Sequence, residues 1–208
     1  MVHARGRAIR LASADVVEGV RARGLAGNAT GTSWSSVARV PIDATNSGID
    51  HFIPGLAVNK AGAGAGAQLG LTYYFYPSGS TQLSVGFISS ANAGTTWSAP
   101  QTLAGGMPST WTATTSQGRM VGDYISPSFG SDNLAHGVFA TASAPMSGTS
   151  CSIVLDNCRE PMSTFTTGLA ASGAASGAGS PVLFSGNGGA GANSLWNVVD
   201  NNGAKHRD

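Results

Sequence analysis

The sequence predicts an all-β protein, and two observations lead to this fold class. Of its 208 residues, 30 are glycine and only 10% are charged, a composition that suits many short strands joined by tight turns. A short tryptophan motif occurs twice, as G-T-S-W-S at residues 31–35 and as G-T-T-W-S at residues 94–98, 63 positions apart (94 − 31). A motif that returns at such a distance indicates a repeated structural unit.

One repeated unit can be followed through all of its strands. Residues 51–58, 69–76, 83–89 and 98–103 are predicted strands, and low-complexity or polar turn residues separate them. The first of the four is almost continuously apolar, as expected for a strand buried on both faces. We therefore predict a sheet of four antiparallel strands here.

A second unit is predicted further along the chain, with strands at residues 118–126, 136–142 and 151–155. Segments rich in glycine, alanine and serine follow at residues 168–180 and 186–193 and are interpreted as linkers. A last strand and turn are predicted within residues 194–203.

The motif and the strand before it resemble the Asp box, S-x-D-x-G-x-T-W, of the bacterial exo-α-sialidase-like β-propellers, also called BNR repeats. In the second copy Ser90, Asn92, Gly94 and Trp97 stand at the motif positions, with asparagine in place of aspartate. Asparagine also bonds to the backbone two residues on, so this copy is expected to fold normally. The resemblance implies a structural role for the box, away from any catalytic face.

The first copy of the motif is degraded. It retains Gly31 and Trp34, but Ala29 occupies the aspartate position and has no side-chain acceptor for the turn. The sequence before this copy is also short for a complete blade.

The resemblance implies a fold of β-propeller blades, each with four antiparallel strands. At about 55 to 60 residues per blade, the chain holds three to four blades, whereas the sialidase type has six. The predicted propeller is therefore either incomplete or completed by self-association through its open strand edges. The predicted organisation is a basic N-terminal arm at 1–11, sialidase-like blades at 12–165, and a linker with terminal strands at 166–208.

The family resemblance implies a glycoside hydrolase of sialidase type that acts on extracellular glycans. Sialidases hold the substrate carboxylate with three arginines, use a Tyr–Glu pair as nucleophile and an Asp as acid/base, and need neither metal nor cofactor for the chemistry. The residues that match in part are the candidate catalytic residues Asp123, Tyr124 and Glu160 and the candidate substrate-binding residues Arg119, Gln117 and His51. Only one arginine stands at a position expected to face the axis of the propeller, whereas sialidases use three. The alternative is therefore a non-catalytic propeller that binds glycan or protein, or an inactive truncated member of the family.

The polar group at residues 117–124 has two interpretations. In a strand, Arg119 and Asp123 share a face and can form an ion pair that fixes the blade. Alternatively, the planar guanidinium of Arg119 holds a carboxylate or a sugar hydroxyl while Asp123 or Tyr124 does the chemistry. His51 likewise is either a hydrogen-bonded structural residue or a residue that lines the propeller axis. The aromatic residues at 73–76 either pack within the strand or, with tyrosines on alternate faces, form a sugar-stacking surface.

The cysteines and the charge limit the environment and the partners. Cys151 and Cys158 are predicted to form a disulfide across a hairpin, which fits an oxidising compartment and a secreted or cell-surface protein; no signal peptide is visible in the chain. Two cysteines without paired histidines do not make a zinc site, and no metal or cofactor is expected.

The net charge of +1 gives no argument for nucleic acid, and no apolar run is long enough to span a membrane. The expected partners are a glycan and a second copy of the chain.

Overall fold

The computed structural model describes residues 2–4, 7–12, 23–28, 38–62, 64–116, 118–152, 154–165, 167–172, 183–185, 198–199 and 205–206. These residues form mainly β-strands, and every strand pairing is antiparallel. The all-β prediction is confirmed.

The first sheet lies at the N-terminal end of the chain. Its strands are joined in sequence order and are β1 (Val2–Ala4), β2 (Arg7–Ala12), β3 (Arg23–Asn28) and β4 (Ala38–Arg39).

The central sheet is the unit predicted best from the sequence. Its strands pair in sequence order and are β5 (Asp50–Val58), β6 (Leu69–Tyr76), β7 (Gln82–Ser90) and β8 (Gln101–Pro108), with a 3₁₀ turn at Gly64–Gly66 between β5 and β6. The first three strands differ from the prediction by at most one residue at each end. The fourth was predicted to begin at residue 98. It begins after Pro100, which has no N–H for the ladder, and extends to Pro108.

A bulge in β5 brings the central sheet against its neighbour. The pairing with β6 shifts between Phe52 and Gly55, and Ile53 adopts a φ of 46°; Pro54 lies in this bulge, where the ladder does not need its missing N–H. A Cβ on Gly55 would lie 1.9 Å from the carbonyl oxygen of Ile125. Only glycine allows this close approach of the two segments.

The third sheet follows a long connection that contains a 3₁₀ turn (Ser109–Trp111) and a small hairpin of β9 (Ala113–Thr115) and β10 (Gly118–Met120). The sheet itself contains five strands, with β12 in contact with three of the others. They are β11 (Ser126–Phe129), β12 (Leu134–Ala140), β13 (Met162–Phe165), β14 (Leu169–Ala170) and β15 (Leu183–Ser185). Near the C-terminus, β16 (Val198–Val199) pairs with β17 (Lys205–His206).

Two strand predictions for this unit are wrong. Residues 118–126 do not form one strand, because the backbone turns at Gly118 (φ 106°) and Gly122 (φ 99°), and β11 starts only at Ser126. Where the strand at 151–155 was predicted, the described residues 151–152 and 154–155 lie in a loop, in which Val154 and Leu155 are 89% and 69% exposed. The disulfide between Cys151 and Cys158 closes this loop, which confirms the predicted pairing but not the predicted strand.

The central sheet is covered on both faces. One face packs on the third sheet, and the buried residues of that interface include Tyr74, Val85, Phe87, Ala135 and Phe139. The other face packs on Val40 and Ile42, which follow β4, through Leu71, Tyr73 and Ile88. On this second face Tyr73 lies over Gly86, the residue opposite it in β7, where a Cβ would be 2.4 Å from the tyrosine ring.

No closed barrel or ring of blades is formed by the strands that the structure describes. The complete propeller therefore stays a prediction. No helical turn in the described part of the chain is long and apolar enough to cross a membrane.

Candidate ligand-binding cleft

A cleft of about 250 Å³ opens at the end of the central sheet where β6 turns into β7. One wall comes from the central sheet and the other from the connection between β8 and β11. The residues that line it are Phe52, Ile53, Tyr76, Leu83, Thr112, Arg119, Met120, Val121, Gly122 and Asp123. The predicted site residues Arg119 and Asp123 are thus both part of this cleft.

The wall that the central sheet provides is aromatic. The ring of Phe52 stacks on the rings of Tyr74 and Tyr76, with centroid separations of 5.7 and 5.6 Å. Tyr74 is fully buried beneath and donates its hydroxyl to the carbonyl of Ala140 at 2.9 Å. Tyr76 is half-buried, and its burial raises the pKa of its hydroxyl. The cleft therefore has a rigid aromatic surface with one accessible phenol.

The opposite wall consists of the β9–β10 hairpin and the turn after it. Met120 and Val121 are the apolar residues of this wall, and the exposed Asp123 is its acidic residue. Gly122, at a φ of 99°, turns the chain between them. Apolar side chains with a few polar groups are the usual lining of small-molecule sites.

Arg119 has a structural role that neither interpretation of the sequence predicted. Its Nη1 donates to the carbonyls of Thr110 (2.8 Å), Thr112 (2.6 Å) and Cys151 (3.2 Å), and its Nη2 donates to Oγ of Ser150 at 2.6 Å. The guanidinium thus joins the connection after β8 to the disulfide loop.

The predicted ion pair between Arg119 and Asp123 is absent. In the described part of the chain, ion pairs join Arg39 to Asp43 and His136 to Asp132 only. The two cleft residues lie on either side of a turn rather than along one strand, so the shared face assumed for them does not exist.

The three candidate catalytic residues differ in their exposure and in whether they line the cleft. Tyr124 follows the cleft turn but is 91% exposed. Glu160 is half-buried and accepts the N–H of Ala113 at 2.9 Å; burial raises the pKa of its carboxyl, and this hydrogen bond opposes the shift. Of the three, only Asp123 lines the cleft.

His51 is separated from the cleft by the central sheet. Its ring packs against Tyr73 and Phe75, at centroid distances of 5.4 and 6.2 Å, on the face opposite Phe52 and Tyr76. Burial lowers the pKa of its imidazole. Gln117, the other predicted binding residue, lies outside the described residues.

The loop that contains the second tryptophan motif lies at the far end of the central sheet. Oγ of Ser90 accepts the N–H of Gly94 at 2.9 Å, and Oδ1 of Asn92 accepts the N–H of Thr96 at 2.8 Å. The indole N–H of Trp97 donates to the carbonyl of Gly94 at 3.1 Å. These bonds hold the loop between β7 and β8, at the end of the sheet opposite to the cleft. Gly31 and Trp34, in the first copy, lie outside the described residues.

A larger groove of about 560 Å³ lies at this same far end, between the ends of β5 and β11. Its lining includes the apolar residues Leu56, Val58 and Phe129 together with small residues and two asparagines, and Lys60 is its charged residue. It contains none of the predicted site residues, and the smaller cleft is therefore the stronger candidate site.

The sequence offers the tyrosines of residues 73–76 as an alternative sugar-stacking surface, but it does not select Tyr76 or identify Phe52. A signal for them exists in the pairing of adjacent strands, because Phe52 is opposite Tyr74 and a period of two then places Tyr76 on the same face. That signal becomes visible only when the register between β5 and β6 is known.

The structure is that of an all-β protein with a partly aromatic cleft between the central sheet and the connection from β8 to β11. No group of three or more His, Cys, Asp and Glu side chains that could hold a metal occurs in the described ranges. Searches of protein-family models, curated proteins and solved structures find no match to this chain. The resemblance to the sialidase-like family therefore rests on the tryptophan motifs alone.

Proposed function

We propose that the cleft binds a terminal sugar residue of a glycan without hydrolysing it. The observation that carries the proposal is a cleft lined by the stacked rings of Phe52 and Tyr76 and also by Asp123. A sugar ring has an apolar face of C–H groups and a rim of hydroxyls, so it is complementary to an aromatic surface with hydrogen-bond acceptors at its edge.

The size of the cleft supports a small ligand. Its volume of about 250 Å³ lies just below the range of roughly 300 to 1,000 Å³ that is usual for ligand pockets. One sugar unit at the end of a chain fits this space better than an extended oligosaccharide does.

The charges favour a neutral sugar over a sialic acid. The Nη1 and Nη2 atoms of Arg119 already donate to backbone carbonyls and to Ser150, so the guanidinium has less capacity for a ligand carboxylate. The nearby Asp123 would also repel an anionic ligand.

The absence of Glu160 from the residues that line the cleft supports binding over hydrolysis. A glycosidase of either stereochemical type places two carboxyl groups on the two sides of one bond, whereas Glu160 is held by the backbone N–H of Ala113 and does not line the cleft. Sialidase-type hydrolysis is therefore the second candidate, and its support is the raised pKa of Glu160, a property of many general acids.

A glycan-binding measurement with two tyrosine variants tests the proposal. Calorimetric titration with neutral monosaccharides is expected to give saturable binding that Tyr76→Ala weakens by about tenfold or more, equivalent to about 1.4 kcal/mol. Tyr76→Phe keeps the ring and is expected to retain most of the affinity. Binding by wild type that Tyr76→Ala leaves unchanged would remove the aromatic wall from the site.

A hydrolysis assay separates the two candidate functions. Under the binding proposal, the purified protein releases no fluorophore from neutral or sialic acid glycosides between pH 4 and 8. Turnover by wild type that is lost in Asp123→Asn and in Glu160→Gln would instead support the hydrolase.

A further inference from the structure

A set of hydrogen bonds connects the disulfide loop to the wall of the cleft. The N–H of Cys151 donates to the carbonyl of Thr110 at 2.8 Å, and Nη1 of Arg119 donates to the carbonyl of Cys151 at 3.2 Å. The same guanidinium reaches Thr112 and Ser150. The disulfide loop is therefore attached directly to a residue that lines the cleft.

The disulfide loop is itself ordered around one buried amide. Asn157 is 3% exposed; its Oδ1 accepts the N–H of Ser152 at 2.8 Å, and its Nδ2 donates to the carbonyls of Ser147 (2.7 Å) and Ser150 (3.1 Å). Closure of residues 151–158 by the disulfide thus places the acceptors for Arg119 in fixed positions.

We propose that the Cys151–Cys158 disulfide positions the cleft wall through Arg119, so that ligand affinity depends on the oxidation state of the two cysteines. Arg119 is the positioning residue, and its neighbours at 120–123 form one wall of the cleft. The affinity part of the proposal rests on the proposed glycan binding, whereas the structural part does not.

The proposal has a physical basis, because a short crosslinked loop has fewer accessible conformations than an open loop. A disulfide removes conformations that the open loop would populate, and a guanidinium keeps several acceptors only while they remain in one geometry. When the crosslink is cut, residues 150 and 151 gain freedom, the bonds from Arg119 weaken, and the exposed turn at Gly122 can move.

The chemical step is the reduction of one disulfide by a dithiol. The sulfur–sulfur bond is cleaved with two electrons and two protons from the dithiol, both cysteines become thiols, and the dithiol becomes a cyclic disulfide. Cys151 is buried and Cys158 is half-buried, so we expect the dithiol to attack at Cys158.

Hydrogen exchange of the folded protein tests the structural part without any ligand. Reduction with dithiothreitol is expected to accelerate amide exchange at residues 112–123 by about tenfold or more, while amides of the central sheet keep their protection. Unchanged exchange at 112–123 would overturn the proposal. Acceleration throughout the central sheet would also overturn it, because the disulfide would then stabilise the whole fold.

Arginine variants show whether Arg119 transmits the effect. Arg119→Ala is expected to accelerate exchange at 112–123 without reduction, and reduction is expected to add little to it. Arg119→Lys keeps the charge but not the planar fork, so it should resemble Arg119→Ala; wild-type exchange in the lysine variant would contradict a positioning role. Arg159→Ala, which removes an exposed arginine next to Cys158, is the matched control and should leave exchange unchanged.

Glycan affinity tests the functional part in the same variants. Reduction is expected to weaken binding by wild type about tenfold and to have no further effect on Arg119→Ala. Independent, additive losses would contradict transmission through Arg119. If oxidised wild type binds no glycan, the proposed function fails, and the exchange experiment still decides the positioning role.

Discussion

Gly55 and Ile125 are in backbone contact, and no side chain fits between them: a Cβ on Gly55 would lie 1.9 Å from the carbonyl oxygen of Ile125. This contact places the connection after β8 against β5, and the cleft lies between these two segments. The existence of the cleft thus depends on one glycine in a strand that also contains a proline.

Gly55→Ala is expected to destabilise the protein, because the methyl group would force the two backbones apart. Overpacking of this kind costs about 1 to 3 kcal/mol or more, measurable by urea unfolding. Gly66→Ala is the control, since a Cβ at Gly66 meets no atom within 4 Å, and it should change the free energy of unfolding by less than about 0.5 kcal/mol. Equal effects of the two substitutions would show that the contact is not tight.

Tyr74→Phe is expected to lower stability by about 1 to 3 kcal/mol. The substitution leaves the buried carbonyl of Ala140 without the hydroxyl that bonds to it at 2.9 Å, and an unsatisfied buried acceptor has a cost of this order. Tyr124→Phe removes the same hydroxyl from a side chain that is 91% exposed and should be close to neutral in the same chemical denaturation experiment. A neutral Tyr74→Phe would contradict the bond.

Glu160 is expected to make the protein less stable as the pH rises. Burial raises the pKa of its carboxyl in the folded state, so the folded state binds the proton more tightly than the unfolded state does. The corresponding stability is fully present below the unfolded pKa of about 4.3 to 4.5 and is lost as the pH rises through the folded value. Glu160→Gln should remove this part of the pH dependence, whereas Asp156→Asn, on the exposed loop, should retain it.

His51 is expected to have the opposite effect on stability in a different pH range. Burial lowers the pKa of its imidazole below 6.5, so the unfolded state binds the proton more tightly. The corresponding stability is present above pH 6.5 and is lost as the pH falls through the lowered folded value. Titration of the imidazole by NMR should give a pKa below 6.5, and a value at or above it would contradict the burial.

Asn92→Asp is expected to be nearly neutral, whereas Asn92→Ala should cost about 1 kcal/mol. Aspartate can still accept the N–H of Thr96, which bonds to Oδ1 of Asn92 at 2.8 Å, and alanine has no acceptor for it. Thermal unfolding of the two variants under one set of conditions provides the comparison. A loss of stability in Asn92→Asp as large as in Asn92→Ala would rule out the Oδ1 acceptor as the important contact.

The strands of the central sheet were predictable because local chemistry and tertiary structure agree there. Residues 69–76 are apolar and aromatic, with turn residues on both sides, and they form β6 with the predicted bounds. In the third sheet, local chemistry and tertiary structure disagree. Residues 151–155 have the composition of a strand, but they belong to a short disulfide-closed loop, and β13 lies further along the chain.

The candidate site was predictable only in part. Arg119 and Asp123 were identified as a polar group near glycines, and both line the cleft. The bonds of Arg119 to backbone carbonyls could not be predicted, because they join segments about 30 residues apart that no local pattern relates. The aromatic wall could be predicted only as an alternative role for the tyrosines of residues 73–76, because the choice of Phe52 and Tyr76 depends on strand register.

The packing of Tyr73 on Gly86 helps to specify the strand register of a sheet that is buried on both faces. In a sheet with one solvent-exposed face, a register shift of one residue is unfavourable, because it would turn every apolar side chain toward water. Here both faces are apolar, so polarity alone discriminates poorly between the correct alignment and a shifted one. Shape discriminates instead, since the ring of Tyr73 fits only where β7 has no side chain. Gly86 therefore helps to set the register between β6 and β7 as the sheet folds.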